Sequence, residues 1–239
     1  MRMKTEKKSA RIAGILYIIG TVTGVLSVVF AGSILDNPED LVNIAANAAQ
    51  VRAGVLFIML MGLALAMVPV VVFQVLRNHN ETLALGYVVF RGALETVTYL
   101  AMVISKLVLL SLSLQYVQTG ASNDSFFKPL SSLVQANETL SFCLTVVFIL
   151  GAVMFYTVLY QSRLIPRWIS GWGLISAVPY LLAGVLLLFG LTSHMDTVDT
   201  VLRLPLGLQE MVMAVWLVVK GFNPSEHGIP SARADNSLI

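Results

Sequence analysis

The sequence predicts an all-α, polytopic membrane protein, a bundle of six transmembrane helices with both termini in the cytoplasm. Three observations carry this. Of 239 residues, 57% are hydrophobic and 12% are charged, against roughly 25% charged in a soluble globular domain. Six stretches hold the ~20 mostly apolar residues that a helix needs to cross a ~30 Å hydrocarbon core. The basic residues cluster at one set of ends of those stretches. Lipid offers the backbone no hydrogen bonds, so each span must be helical, and the alternating pattern of barrel strands is absent.

The first span is Ile12–Ser33. Its apolar run exceeds the 7–15 residues of a signal peptide, so it reads as a retained helix rather than one cleaved after Val29-Phe30-Ala31. Gly20 and Gly24 form a G-x-x-x-G pattern suited to close helix contact. Asp36-Asn37-Pro38 then reads as a helix start, with Pro38 in the first turn. Leu41, Ile44, Ala48 and Val51 follow at helical spacing, predicting a short outer-surface helix over Pro38–Arg52. The second span is Ala53–Leu76 and the third Leu83–Leu114. Phe126-Phe127-Lys128-Pro129 opens another outer segment, leading to Asn137. These outer segments are either a cap over the bundle or interfacial connectors.

Glu138 reads as the start of the fourth span, Thr139–Tyr160, where a carboxylate complements the helix N-terminus. Cys143 within it reads as a small buried apolar side chain; as the single cysteine it excludes an intrachain disulfide. The fifth span is Trp168–Thr192. Trp168 and Trp172 beside Arg167 read as interfacial anchors. Pro69 and Pro179 predict kinks in the second and fifth spans, whose freed carbonyls can line a cavity. The sixth span is Leu202–Phe222, which closes one transmembrane domain over residues 1–222. Residues 223–239 are polar, with Pro224, Gly228 and Pro230, and predict a disordered cytoplasmic tail.

Orientation follows from charge. Arg2, Lys4, Lys7, Lys8, Arg11, Arg77, Arg163, Arg167, Lys220 and Arg233 share one side, against Arg52, Lys128 and Arg203 on the other. Positive charge is retained inside, which makes the first side cytoplasmic.

Arg91 and Glu95 break the pattern, lying four residues apart inside the third span. Ionised groups in hydrocarbon cost roughly 2.5–3.5 kcal/mol each even on the lenient insertion scale. At 1.5 Å per residue, Glu95 falls near the midplane. Helical spacing puts Arg91, Glu95, Thr98, Met102 and Ser105 on one face, with Lys106 beside it and near enough to the interface to snorkel. Glu210 of the sixth span, counted from the opposite surface, reaches almost the same depth as Glu95. If the third and sixth helices pack together, Arg91, Glu95 and Glu210 converge. One arginine cannot compensate two carboxylates, so such a cluster has a carboxylate to spare for a proton, a cation or acid–base work. The structural alternative, an arginine–glutamate clamp holding helices in register, stays open beside it.

Other chemistry finds no support. The small net charge of +2 and the lack of interleaved basic and aromatic residues exclude a nucleic-acid surface. His79, His194 and His227 have no second ligand at metal spacing. No G-x-S-x-G elbow, H-E-x-x-H or P-loop occurs, and Gly171-Trp172-Gly173 opens a helix, unlike a dinucleotide fingerprint. No cofactor is predicted. A three-plus-three inverted repeat fails in register, because Pro69 is late in its span and Pro179 early.

Several pieces carry a family resemblance. They are Ala13-Gly14-Ile15-Leu16-Tyr17, Arg91 with Glu95, and Pro166-Arg167-Trp168-Ile169-Ser170-Gly171-Trp172-Gly173. The last runs from Pro205-Leu206-Gly207-Leu208-Gln209-Glu210 to Trp216-Leu217-Val218-Val219-Lys220-Gly221-Phe222. Over roughly residues 8–223 the chain resembles the uncharacterised bacterial multi-pass membrane proteins called domain of unknown function 4386. The resemblance implies a bacterial cytoplasmic membrane and brings no activity. The sequence thus predicts a non-enzymatic integral membrane protein embedded in a lipid bilayer, with a ligand, ion or partner site at Arg91, Glu95 and Glu210. A small permease is the alternative, and a membrane enzyme or regulatory subunit a further one.

Overall fold

The computed structural model describes residues 2–119, 127–192 and 196–223. Among them there is no strand. Helix α1 is Arg2–Leu35, α2 Leu41–Ala46, α3 Ala48–Leu76 and α4 Glu81–Tyr87. A π-helical segment, Val88–Leu94, joins α4 to α5, Glu95–Gln118; then come α6 Phe127–Ser162, α7 Arg167–Leu188 and α8 Thr197–Val219. Six helices are long and apolar enough to cross a membrane. They are α1, α3, the α4–π–α5 rod, α6, α7 and α8. They pack as a ring, in the order α3, α1, α8, α7, α6, α4–π–α5 and back to α3.

Glycines set the closest approaches. A Cβ on Gly14 of α1 would lie 2.6 Å from the Ala214 carbonyl oxygen of α8. Gly20 and Gly24 receive Leu65 and Met61 of α3, so the G-x-x-x-G pattern seats α1 on α3. The two ends of the ring are filled by apolar clusters. One gathers Leu164, Ile165 and Phe222 with Ala10 and Leu76; the other gathers Ile34, Ile44, Val55, Leu110 and Leu130.

Four local expectations are corrected. The helix expected over Pro38–Arg52 is split. Asp40, not Pro38, sets the start of α2, its side chain accepting from the Asn43 N–H at 3.0 Å. Asn47 closes α2 and precedes α3. Glu138 lies well inside α6, which runs unbroken from Phe127, so the N-terminal charge argument does not apply to it; Pro129 falls in the first turn of that longer helix, where proline is tolerated. Cys143 is exposed on the outer face of α6, because its position in the helix points away from the ring. The third span is not one regular helix, since the π segment interrupts it. From residue 224 the expected tail lies outside the described residues, as do His194 and His227.

Candidate functional site

The π segment is the local feature that presents Arg91. In it the Glu95 N–H bonds to the Phe90 carbonyl, five residues back, which leaves carbonyls out of register. Threonines take them up: Thr96 donates to the Gly92 carbonyl at 2.6 Å and Thr98 to the Leu94 carbonyl at 2.9 Å. The wide turn is held by two neighbours at short range. A Cβ on Gly92 would lie 3.3 Å from the Pro69 ring of α3. One on Gly151 of α6 would lie 3.2 Å from the Arg91 backbone nitrogen. Single-turn π insertions recur at functional sites.

Arg91 projects into the middle of the ring, and its side chain is 2% exposed. One guanidinium nitrogen stands 3.2 Å from Glu95 Oε2, and the other donates to Glu210 Oε1 at 3.3 Å. The guanidinium carbon lies over the rings of Phe148 (α6) at 4.5 Å and Tyr17 (α1) at 5.7 Å. Cation–π contacts of this kind contribute about 0.5–2 kcal/mol when desolvated. Arg91 therefore touches α1, α6 and α8 at once. The third and sixth spans are not ring neighbours, so the residues converge without the direct packing that was set as a condition; Arg91 bridges the two spans across the ring with its side chain.

The three predicted residues differ in how well they are satisfied. Glu95 is 1% exposed, with the Arg91 guanidinium 3.2 Å from Oε2 and the Tyr99 hydroxyl as its second polar neighbour, yet neither oxygen sits in a well-aligned hydrogen bond. Arg91 Nε is also without a partner. Glu210 is 17% exposed. Buried polar atoms left unpaired cost about 1–3 kcal/mol each, and charged ones more, so this centre is under-satisfied as it stands.

An aromatic wall surrounds it. The Tyr17 and Tyr87 hydroxyls are 3.0 Å apart, and Tyr87 stacks on Phe155 with centroids 4.4 Å apart. The Tyr156 hydroxyl is buried without a partner, its ring pressed against Gly173 of α7. Gln209, fully buried, donates to the Ile169 carbonyl at 3.0 Å and ties α8 to the start of α7.

A second charged group was missed in the sequence. Arg203 Nε donates to Asp199 Oδ1 at 2.7 Å, and Arg203 Nη1 to the Thr145 hydroxyl at 3.2 Å. Asp199 is 2% exposed. Arg203 also lies over the Tyr180 ring at 4.7 Å, and Tyr180 packs on Phe148 at 4.9 Å. Two guanidiniums thus bracket two aromatic rings, in the order Arg203, Tyr180, Phe148, Arg91. The signal was present: Asp199 and Arg203 are four residues apart in the order favoured on a helix, and Asp196 caps the start of α8. Counting Arg203 only as an outer-side charge at the mouth of the sixth span hid it. Among the described residues no group of three His, Cys, Asp or Glu is arranged to hold a metal ion.

No curated protein and no solved structure matches the chain. The family model described as domain of unknown function (DUF4386) matches residues 12–221. The chain belongs to that family.

Proposed function

We propose that this DUF4386-family protein is a non-enzymatic membrane protein that binds a small cationic ligand, or a proton, at Arg91, Glu95 and Glu210. The observation that carries the reading is the pair of carboxylates, Glu95 and Glu210, set against one buried guanidinium, with Glu95 only 1% exposed and neither of its oxygens in a well-aligned hydrogen bond. One guanidinium faces two carboxylates, and an uncompensated charge away from water is costly. A positive group with hydrogens to donate relieves both defects. A register clamp needs one carboxylate per arginine and gives no reason for the second.

We place both termini in the cytoplasm of a bacterial inner membrane. The family resemblance supports the membrane, and the charge asymmetry supports the orientation. Arg203 now counts as a bundle residue, which leaves Arg52 and Lys128 as the outer-side basic residues of the earlier count. A permease role is the second reading, favoured by the partial exposure of Glu210 beside its two sealed partners.

The test is thermal unfolding in lipid nanodiscs with methylammonium chloride, against sodium chloride as an ionic-strength control, together with proton uptake measured by indicator dye. Wild type gains stability that rises with the logarithm of methylammonium concentration above Kd, reaching about 2.7 kcal/mol at one hundred times Kd, or takes up a proton; Glu95→Gln does neither. If wild type and Glu95→Gln behave alike in both measurements, the cluster is a clamp and the reading falls.

A further inference from the structure

We infer that the seam between α1 and α8 is a lateral portal, through which an organic cation dissolved in the membrane reaches Glu210. The inference rests on the cationic-ligand reading above and adds a route and a ligand class.

The two helices touch at one end of the seam and part at the other. At Gly14 the α1 backbone lies directly on α8, with a virtual Cβ 2.6 Å from the Ala214 carbonyl oxygen and 2.8 Å from Val218 Cγ2. Gly207 precedes Ala214 by seven residues, two helical turns, and so lies within about 20° of the same face. Had α1 stayed alongside, a Cβ on Gly207 would meet it. Nothing lies within 4 Å of that position.

Helix α1 departs because it follows α3. Its contacts continue through Gly20 on Leu65 and Gly24 on Met61, and Gly54 of α3 closes on Ala31. Ala10, Ala13 and Tyr17 of α1 are buried, but no residue from 21 to 30 is. The seam therefore opens as a V toward the Thr197 end of α8.

Glu210 sits at the apex of that V, four residues before the contact at Ala214 and three after the gap at Gly207. This accounts for its 17% exposure beside Arg91 and Glu95 at 2% and 1%. Exposed apolar side chains occur along both helices on this side of Glu210: Val22, Val25 and Val28 on α1, Leu204 and Leu208 on α8. At the apex Glu95 and Glu210 share the single Arg91, a surplus of one carboxylate, while Asp199 and Arg203 pair with each other toward the open end. An apolar mouth over a surplus of carboxylate fits a cation with an apolar body, its charge at Glu210 and its body between the helices. A hydrated metal ion would have to shed water against valine and leucine, and an anion would meet the excess negative charge.

The experiment measures tetraphenylphosphonium binding to the full chain in zwitterionic nanodiscs, with methylammonium stabilisation as the second readout. Wild type is expected to bind tetraphenylphosphonium saturably, and Glu210→Gln to weaken it at least tenfold. Gly207→Phe fills open space, so the fold persists; it should weaken tetraphenylphosphonium at least tenfold and leave the methylammonium response unchanged. Wild-type binding by Gly207→Phe, or methylammonium binding without any of tetraphenylphosphonium, overturns the portal and spares the cationic site. Failure of wild type to bind either cation, without proton uptake, removes both. A disulfide-linked dimer of Gly207→Cys in a Cys143→Ala background would put a second copy on the seam and also overturn the portal.

Discussion

Replacing Arg91 by methionine isolates its charge, because the methionine keeps the apolar stem against Phe148 and Tyr17. The substitution leaves Glu95, 1% exposed, with its charge partner gone, and Glu210, 17% exposed, without its hydrogen-bond donor. Breaking a buried pair from one side costs roughly 3–5 kcal/mol. Two lost cation–π contacts add about 0.5–2 kcal/mol each, partly restored by sulfur–aromatic contact. Arg91→Met should therefore lose about 4–6 kcal/mol of unfolding free energy, measured by chemical denaturation in mixed micelles. The triple variant Arg91→Met, Glu95→Gln, Glu210→Gln removes every charge of the cluster and should recover most of the loss, since uncharged replacements of buried ion pairs are often neutral or stabilising. In a double-mutant cycle, Arg91 should couple more strongly to Glu95 than to the wetter Glu210. A single variant as stable as wild type would show that water reaches the cluster freely. A triple variant as unstable as the single would show that packing, not charge, dominates.

Asp199→Asn should cost less than Arg91→Met in the same assay, because Arg203 keeps Thr145 and Tyr180 and is 18% exposed; an equal cost would mean the outer group is as sealed as the centre. Gly173→Ala drives a methyl to 2.8 Å from the Tyr156 ring and should lower stability by about 1–3 kcal/mol; no change in the denaturation midpoint would place that ring elsewhere. In a Cys143→Ala background, Asn37→Cys and Asn78→Cys should label from opposite sides of sealed vesicles with an impermeant maleimide. Labelling from one side would remove a span between them.

What the sequence revealed depended on which signals survive in one dimension. Span number was legible because hydrocarbon thickness fixes helix length. The meeting of Arg91 with Glu210 was legible through depth alone: opposite entrances and a fixed rise put them level. The route of their meeting was not. Depth says nothing about angle around the ring, so side-by-side packing of α4–π–α5 and α8 could enter only as a condition; the two face each other across the centre. The π segment left no trace, since Val88–Leu94 contains no proline and its extra residue is held by Pro69 and Gly151 from other helices. Tyr17, which the sequence offered only as part of a family segment, stands under the Arg91 guanidinium. Cys143 failed for a related reason: an apolar neighbourhood in a membrane helix is as much outside as inside.

The residues that carry the family resemblance can be read as one mechanical object. Gly14 brings α1 onto α8, and Tyr17, one turn on, then reaches Arg91. Ile169 offers its carbonyl to Gln209, which fixes the rotation of α8 one residue before Glu210. Gly173 admits the Tyr156 ring into the wall. Each piece, weak as a motif, positions one side of the charged centre. A bundle needing only to stay folded could fill that centre with leucine and avoid the expense of Arg91, Glu95 and Glu210 in hydrocarbon. Four helices are instead shaped around an arginine with too many carboxylates. The cost is borne where two carboxylates share one guanidinium, and the second of them, Glu210, is the member of the cluster that keeps some exposure; a surplus carboxylate with a way to reach it argues for a ligand over a clamp.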